Sequence, residues 1–321
     1  MNRRVIFMGS DPIALPLLRW LATEDSGVEI VAVYTQPDRP RGRGKKVVAN
    51  EIKTWALELG IVVRQPERMT KADRLQIESD QVDAILVMAF GHMLSSRLIA
   101  TPPMGVWNFH TSLLPRYRGA SPIQCAVANG DEKTGVSLMA MVREMDAGPV
   151  LDVEEVKIEK MDTALDVESR LASVCSPLLQ RNLAAILTGA AKPRAQDSAR
   201  ASYVRKLGKD DGVLDFRMLA WVVAKRINGL FPWPGVRFSV DDMVIKVGLA
   251  GWDKRSEDLP AGSVLGLRDG AIEVVCGEGV LRLLKLQRPG GKMLEATAFA
   301  NGFEIPVRMV LESIEMPDLI K

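Results

Sequence analysis

Val5-Ile6-Phe7-Met8-Gly9-Ser10-Asp11-Pro12 begins the pattern that decides the fold: a short apolar run, a glycine, a polar turn and then, from Leu15 to Leu21, an apolar stretch at helical spacing. A run of this length bounded by turn residues reads as a buried strand. The same order returns twice, with Ile30 to Tyr34 before Ile52 to Leu59, and with Ala84 to Ala89 before the approach to Val106. Strands alternating with helical segments predict βαβ units, and hence a Rossmann-like, mostly parallel α/β domain. Ligands of open α/β sheets bind outside the carboxyl ends of the strands. That rule directs attention to Gly9 to Pro12, Gln36 to Lys46, Phe90 to Met93 and the segment after Val106.

Several functions are excluded at the outset. Gly9 is followed by Ser10, Asp11 and Pro12, so the strand does not open a dinucleotide fingerprint, and Gly42-Arg43-Gly44-Lys45 lacks the spacing and hydroxyl of a phosphate-cradling loop. The three cysteines, Cys125, Cys175 and Cys276, are far apart with no C-x-x-C pair, which argues against a disulfide framework or zinc site and fits a reducing cytoplasm. With His92 and His110 the only histidines, no multi-histidine metal cage can form, and no metal is expected. No apolar run is long enough for a signal segment or a membrane span. The net charge of +2 leaves nucleic-acid affinity to local clusters of cations.

At 321 residues the chain suggests two domains. The polar stretch containing Pro193, Gln196, Asp197, Ser198, Gly208, Lys209 and Asp210 breaks the periodicity and reads as a linker. The expected organisation is a catalytic domain over residues 1–191, a linker over 192–212 and a smaller domain over 213–321. The last begins with an amphipathic helix from Met218 to Leu230, halted by Pro232 and Pro234. Short strands follow at Val244 to Val247, Ser263 to Leu267, Ile272 to Val275 and Leu281 to Leu286, a pattern that predicts a small OB-like β-barrel. Trp233, between two prolines, is expected to be an interdomain or core packing element.

Val106 to His110 reads as a strand end whose period of two puts Asn108 and His110 on one face and Trp107 and Phe109 on the other. Thr111 to Pro122 then carries two prolines and a glycine, a defined loop ahead of a helix. Asp146 stands in a turn, Met145-Asp146-Ala147-Gly148-Pro149, after the apolar strand Val136 to Met141. Acyl transfer to an amine needs a proton acceptor for the nucleophile and donors for the oxyanion. An Asn amide and a His N–H can be those donors, and an aspartate beside the imidazole can fix its tautomer. Each of these residues alone also serves as an ordinary hydrogen-bonding group.

Taken in order, Asn-x-His, Ser-Leu-Leu-Pro-x-x-Arg-Gly, Thr134-Gly135-Val136 and Asp-x-Gly resemble the folate-dependent formyltransferases. The likeness runs from Thr35-Gln36-Pro37-Asp38-Arg39-Pro40 through Phe231-Pro232-Trp233-Pro234 and is strongest to the branch that formylates an aminoacyl-tRNA. It implies 10-formyltetrahydrofolate as donor and the α-amine of methionyl initiator tRNA as acceptor, a step of translation initiation. It also implies Asn108, His110 and Asp146 as the catalytic residues, and a folate pocket bordered by Ser112, Leu113, Leu114 and Pro115 and by the loop holding Met88, Phe90 and Gly91. His92 reads as a solvent-facing or packing residue. Thr111 and Ala147-Gly148-Pro149 depart from the commoner pattern without altering a reacting group.

Arg39-Pro40-Arg41-Gly42-Arg43-Gly44-Lys45-Lys46 is a basic loop at the same sheet edge, suited to phosphates near an RNA acceptor end. Arg43, Lys45 and Lys46 are the expected tRNA contacts, with Arg43 also able to read bases. The main rival is a sugar or purine-precursor N-formyltransferase, which needs no basic loop; a non-catalytic RNA-binding protein is the rival of another kind. A soluble monomer is expected.

Overall fold

The computed structural model describes residues 3–41 and 46–321. It separates into two compact units. The first contains residues 1–118, 135–156 and 168–201, and the second 119–134, 157–167 and 202–321.

The first unit is built on a seven-stranded sheet. Its strands are β1 (Arg3–Gly9), β2 (Val28–Tyr34), β3 (Val62–Arg64), β4 (Ala84–Met88), β5 (Val106–His110), β6 (Lys133–Ala140) and β7 (Val150–Lys157). Their spatial order is β7-β6-β5-β4-β1-β2-β3. β1 pairs parallel with β2 and β4, and β2 with β3 and β4 with β5 are parallel too; β5 and β6 run antiparallel. The apolar runs read from the sequence are therefore the central strands: Val5 to Met8 and every residue of β4 are buried. Strands covered on both faces have no need to alternate.

Local chemistry sets the helices between them. Asp11 accepts a hydrogen bond from Ile13 N–H and starts a short turn of 3-10 helix ahead of Leu15–Leu21, whose Leu17, Leu18 and Leu21 are buried. Asn50 caps Glu51–Glu58 through the Lys53 N–H, and Thr70 with Asp73 forms a capping box on Lys71–Ser79. Among the described residues no helix is long and apolar enough to cross a membrane.

The second unit carries a sheet of β8 (Val236–Val240), β9 (Met243–Asp253), β10 (Val264–Arg268), β11 (Ala271–Val275), β12 (Val280–Gln287) and β13 (Leu294–Glu295). The order is β8-β9-β12-β11-β10, with β13 beside β12, and the pairings are antiparallel. The strand Val236–Val240 has no counterpart in the sequence reading, since Pro232 and Pro234 mask its alternating start. The amphipathic helix is Ala220–Gly229, and it packs against Pro122–Ala128. Gly229 makes that approach possible, because a Cβ there would lie 2.5 Å from Ala128 N.

Trp233 corrects an expectation: it is 55% exposed rather than packed. Leu230 and Val236, on either side of the proline-bounded turn, take the buried positions and leave the indole outside. Cys125, Cys175 and Cys276 are free, and burial pushes each thiol up to about 12, which makes them poor nucleophiles.

Candidate active site

β5 delivers Asn108 and His110 to its carboxyl end, and the register with antiparallel β6 sets what lies beside them. Asn108 is paired with Met139 and His110 with Ser137. Trp107 and Phe109 are buried, as the two-residue period requires. His110 is buried as well, and its Nε2 lies 2.9 Å from the Tyr117 carbonyl. A carbonyl oxygen only accepts, so Nε2 carries the hydrogen and donates it. The other ring nitrogen, Nδ1, faces Asp146 Oδ2 at 3.6 Å, with the Asp146 side chain 17% exposed. The structure thus brings His110 and Asp146 together, and it commits the Nε2–H to the protein's own backbone. The part-exposed Asn108 side chain makes no hydrogen bond among the described residues, which leaves its amide available at the strand end.

The segment after β5 is held from within. Ser137 on β6 is fully buried; its hydroxyl donates to the Ser112 carbonyl at 2.7 Å and accepts from Leu114 N–H at 3.1 Å. Ser112 Oγ, also buried, donates to the Arg116 carbonyl at 2.7 Å. Ser112 is therefore occupied in shaping the loop, while Leu113, Leu114 and Pro115 are part-exposed and Leu114-Pro115 is cis. Gly135 is required beneath this loop, since a Cβ would stand 2.5 Å from Leu113 Cδ2 and 2.3 Å from the Glu154 carbonyl.

The loop after β4 divides the residues expected at the folate pocket. Met88 and Phe90 are buried, whereas Ala89 and Gly91 are exposed and both have positive φ. What this loop presents outward is backbone. It is tied to β1 and β2: Ser10 N–H donates to the Ala89 carbonyl, and Ser10 Oγ and Gln36 Nε2 both donate to the Phe90 carbonyl, at 3.3 and 3.2 Å. His92 packs edge-on against Phe90, ring centroids 4.9 Å apart, which favours the packing role over the solvent-facing one. A cavity of about 240 Å³ lies at the β1 and β2 ends, lined by Ser10, Gln36, Pro37, Arg39, Val48 and Asn50. None of Asn108, His110 and Asp146 lines it.

Beyond β2 the described parts of the basic loop pair as the two antiparallel strands of a hairpin, Arg39–Arg41 against Lys46–Val48. Lys46 is exposed, as are Val47 and Val48. Arg39 reaches Glu67 at 3.5 Å, both largely in solvent. Arg43 and Lys45 lie outside the described residues.

Sequence reasoning missed Tyr117, Ser137 and Gln196. Ser137 and Tyr117 act through a hydroxyl and a backbone carbonyl, for which no residue pattern exists. Gln196 falls in the polar stretch read as a linker, yet it hydrogen-bonds the carbonyls of Asp146 and Gly148.

A mostly parallel α/β unit that brings His110 and Asp146 together at one sheet edge, with a separate antiparallel unit, is the architecture of a formyl-transferring enzyme. The chain belongs to the formyl transferase family, whose main profile matches residues 3–183 and whose C-terminal domain profile matches residues 206–304. Within that family it is 38% identical over 306 residues to the methionyl-tRNA formyltransferase of Gluconobacter oxydans, covering 94% of this chain and 98% of the relative. It is 35% identical over 318 residues to that of Lachnospira eligens, covering 96% and 99%. A solved N-formyltransferase from Helicobacter canadensis, in complex with folinic acid and dTDP-3-aminofucose, superposes with a TM-score of 0.65 over 90% of this chain and 100% of its own, at 16% identity. That likeness is one of fold.

Proposed function

We propose that this enzyme transfers the formyl group of 10-formyltetrahydrofolate to the α-amine of methionyl initiator tRNA, in the cytoplasm, as a monomer. The observation that carries this reading is the match to curated methionyl-tRNA formyltransferases over nearly their whole length, second unit included. The catalytic work falls to residues 1–191. Residues 213–321, read as an OB-like barrel joined through 192–212, add a basic flank for the acceptor arm, and Arg43, Lys45 and Lys46 grip phosphates near its end.

The geometry supports a direct transfer. The Asn108 amide donates to the formyl oxygen as it becomes an oxyanion. Because the Nε2–H of His110 is held by Tyr117, the working nitrogen is Nδ1, whose lone pair takes the proton released by the attacking amine. Asp146 then stabilises the imidazolium at short range. The proton returns to the departing folate nitrogen, so no covalent enzyme intermediate is needed. The folate is bordered by Leu113, Leu114 and Pro115 and by the outward backbone at Ala89 and Gly91, with Met88, Phe90 and Ser112 shaping those loops from beneath.

Incubation with 10-formyltetrahydrofolate and methionyl initiator tRNA tests this directly, with formylmethionyl-tRNA and tetrahydrofolate the expected products. Turnover of an amino sugar or a purine precursor with no formylmethionyl product would replace it by the small-amine reading, which the folate-bound Helicobacter neighbour shares in fold. Tight tRNA binding with no turnover of any amine would leave an RNA-binding protein.

A further inference from the structure

Asp146 sits in a left-handed conformation, φ 51°, at the tip of the turn between β6 and β7. Such a conformation costs a non-glycine residue about 1 kcal/mol or more and persists where its surroundings impose it. Contacts from β6 and from the segment after residue 191 do so here. Ala140 N–H donates to the Pro149 carbonyl at 2.9 Å, and Gly148 lies so near β6 that a Cβ would be 1.8 Å from the Ala140 carbonyl. Val150 and Arg194 exchange backbone hydrogen bonds of 2.8 and 2.7 Å, which lays the segment after residue 191 along the turn. From that segment the Gln196 amide nitrogen donates to both the Asp146 carbonyl, at 2.8 Å, and the Gly148 carbonyl, at 2.7 Å.

The other end of the same amide is also engaged. Gln196 Oε1 accepts from Nε and Nη2 of Arg118, at 3.1 and 2.8 Å, and Arg118 is only 3% exposed. The orientation of the amide is thus determined from both sides, since carbonyls demand its N–H groups and a guanidinium demands its oxygen. A buried cation at one end polarises the amide and strengthens the donors at the other. Arg118 closes the loop that begins with Ser112, so the chain Arg118, Gln196, Asp146 links the loop after β5 to the turn after β6.

We infer that Gln196, backed by Arg118, is a positioning residue that holds the Asp146 turn so that its carboxylate faces His110. The role rests on the proposed function of Asp146. Glutamine is the side chain the geometry asks for: asparagine is a methylene shorter, and glutamate would set a carboxylate against two carbonyl oxygens.

Two variants test it, Gln196→Met and Gln196→Glu, the second retaining the partner for Arg118 should the first fold poorly. Each is expected to lower kcat by about tenfold to a hundredfold, the scale of a misplaced catalytic group, with KM for donor and tRNA changed by less than about threefold. In an Asp146→Asn background, Gln196→Glu should add less than about twofold, because residues acting as one unit are not additive. Amide hydrogen exchange across residues 144–150 should speed up in both variants. Full turnover in folded Gln196 variants, losses that multiply with that of Asp146→Asn, or unchanged exchange at 144–150 would each overturn the inference. Should Asp146→Asn itself retain full turnover, the reading of the site fails, and exchange at 144–150 alone then decides whether Gln196 clamps the turn.

Discussion

Two loops leave the carboxyl edge of the first sheet and are built on opposite terms. The one after β5 is pinned by buried hydroxyls: Ser137 bridges Ser112 and Leu114, Ser112 reaches Arg116, and the Tyr117 carbonyl orients His110. In the hairpin after β2 the described cations Arg39 and Lys46 are exposed, with Arg39 in a long, solvent-exposed ion pair. On the proposed function, the difference is a division of work between reacting groups and a grip on a large second substrate. Groups that touch reacting atoms must be placed before the substrate arrives, because the rate is sensitive to displacements of about 1 Å. Charges that hold a polyanion act through long-range attraction and need no such precision.

The contrast fails most visibly if the reacting groups prove dispensable. Replacing His110 or Asp146 with Ala is expected to lower kcat on the order of 10²–10⁴-fold, and Asn108→Ala on the order of 10²–10³-fold, with tRNA affinity nearly unchanged. Steady-state kinetics beside a direct binding measurement separates the two, and affinity losses as large as the kinetic ones would erase the division of labour.

Ser137→Ala probes the rigidity of the first loop without touching a reacting group. It strips the buried Ser112 carbonyl and Leu114 N–H of their common partner, so a loss of about 1–3 kcal/mol in unfolding free energy is expected from denaturant titration, together with lower turnover. A variant as stable and as active as the parent would show that the loop is not held this way.

For the hairpin, Lys46→Ala should leave kcat alone, weaken tRNA binding a few-fold and reduce the slope of log affinity against log salt by about 1. A slope unchanged by the substitution would remove Lys46 from the RNA contacts.

The smallest effect concerns Glu168, which belongs to neither loop. Burial, aided by the charge of Asp11, raises its carboxyl from the ordinary 4.5 to about 7. Between those values the folded state holds a proton that the unfolded chain has released, so this group's contribution to stability falls as pH rises through that window and is level above it. Glu168→Gln should therefore be more stable relative to the parent at pH 8 than at pH 5; thermal unfolding at the two values checks the sign.

The elements legible in the sequence were those whose signal is local. Leu15–Leu21 matches its expected bounds, and β1, β2 and β4 lie close to the apolar runs that announced them. Asn108 and His110 could be placed on one strand face because alternation is a property of any extended chain. In the second unit, helix Ala220–Gly229 and strands β10 to β12 fall near their expected positions, while β8 has no counterpart in the sequence pattern and Trp233, expected at an interdomain or core contact, is 55% exposed. A proline-bounded turn decides which way a ring faces by how it closes, and composition does not record that.

What the sequence determined by itself was the order of strands and helices, the residue types able to carry acyl transfer and, through the ordered motifs, the family. The tertiary structure alone decided which ring nitrogen of His110 is spoken for, that Met88, Phe90 and Ser112 support their loops from beneath, and that Gln196 reaches Asp146 from fifty residues along the chain. The reason is physical. Periodicity and turn chemistry act over a few neighbouring residues, whereas a hydrogen bond between distant segments depends on where the packed sheet sets them, and no local pattern in either segment encodes it.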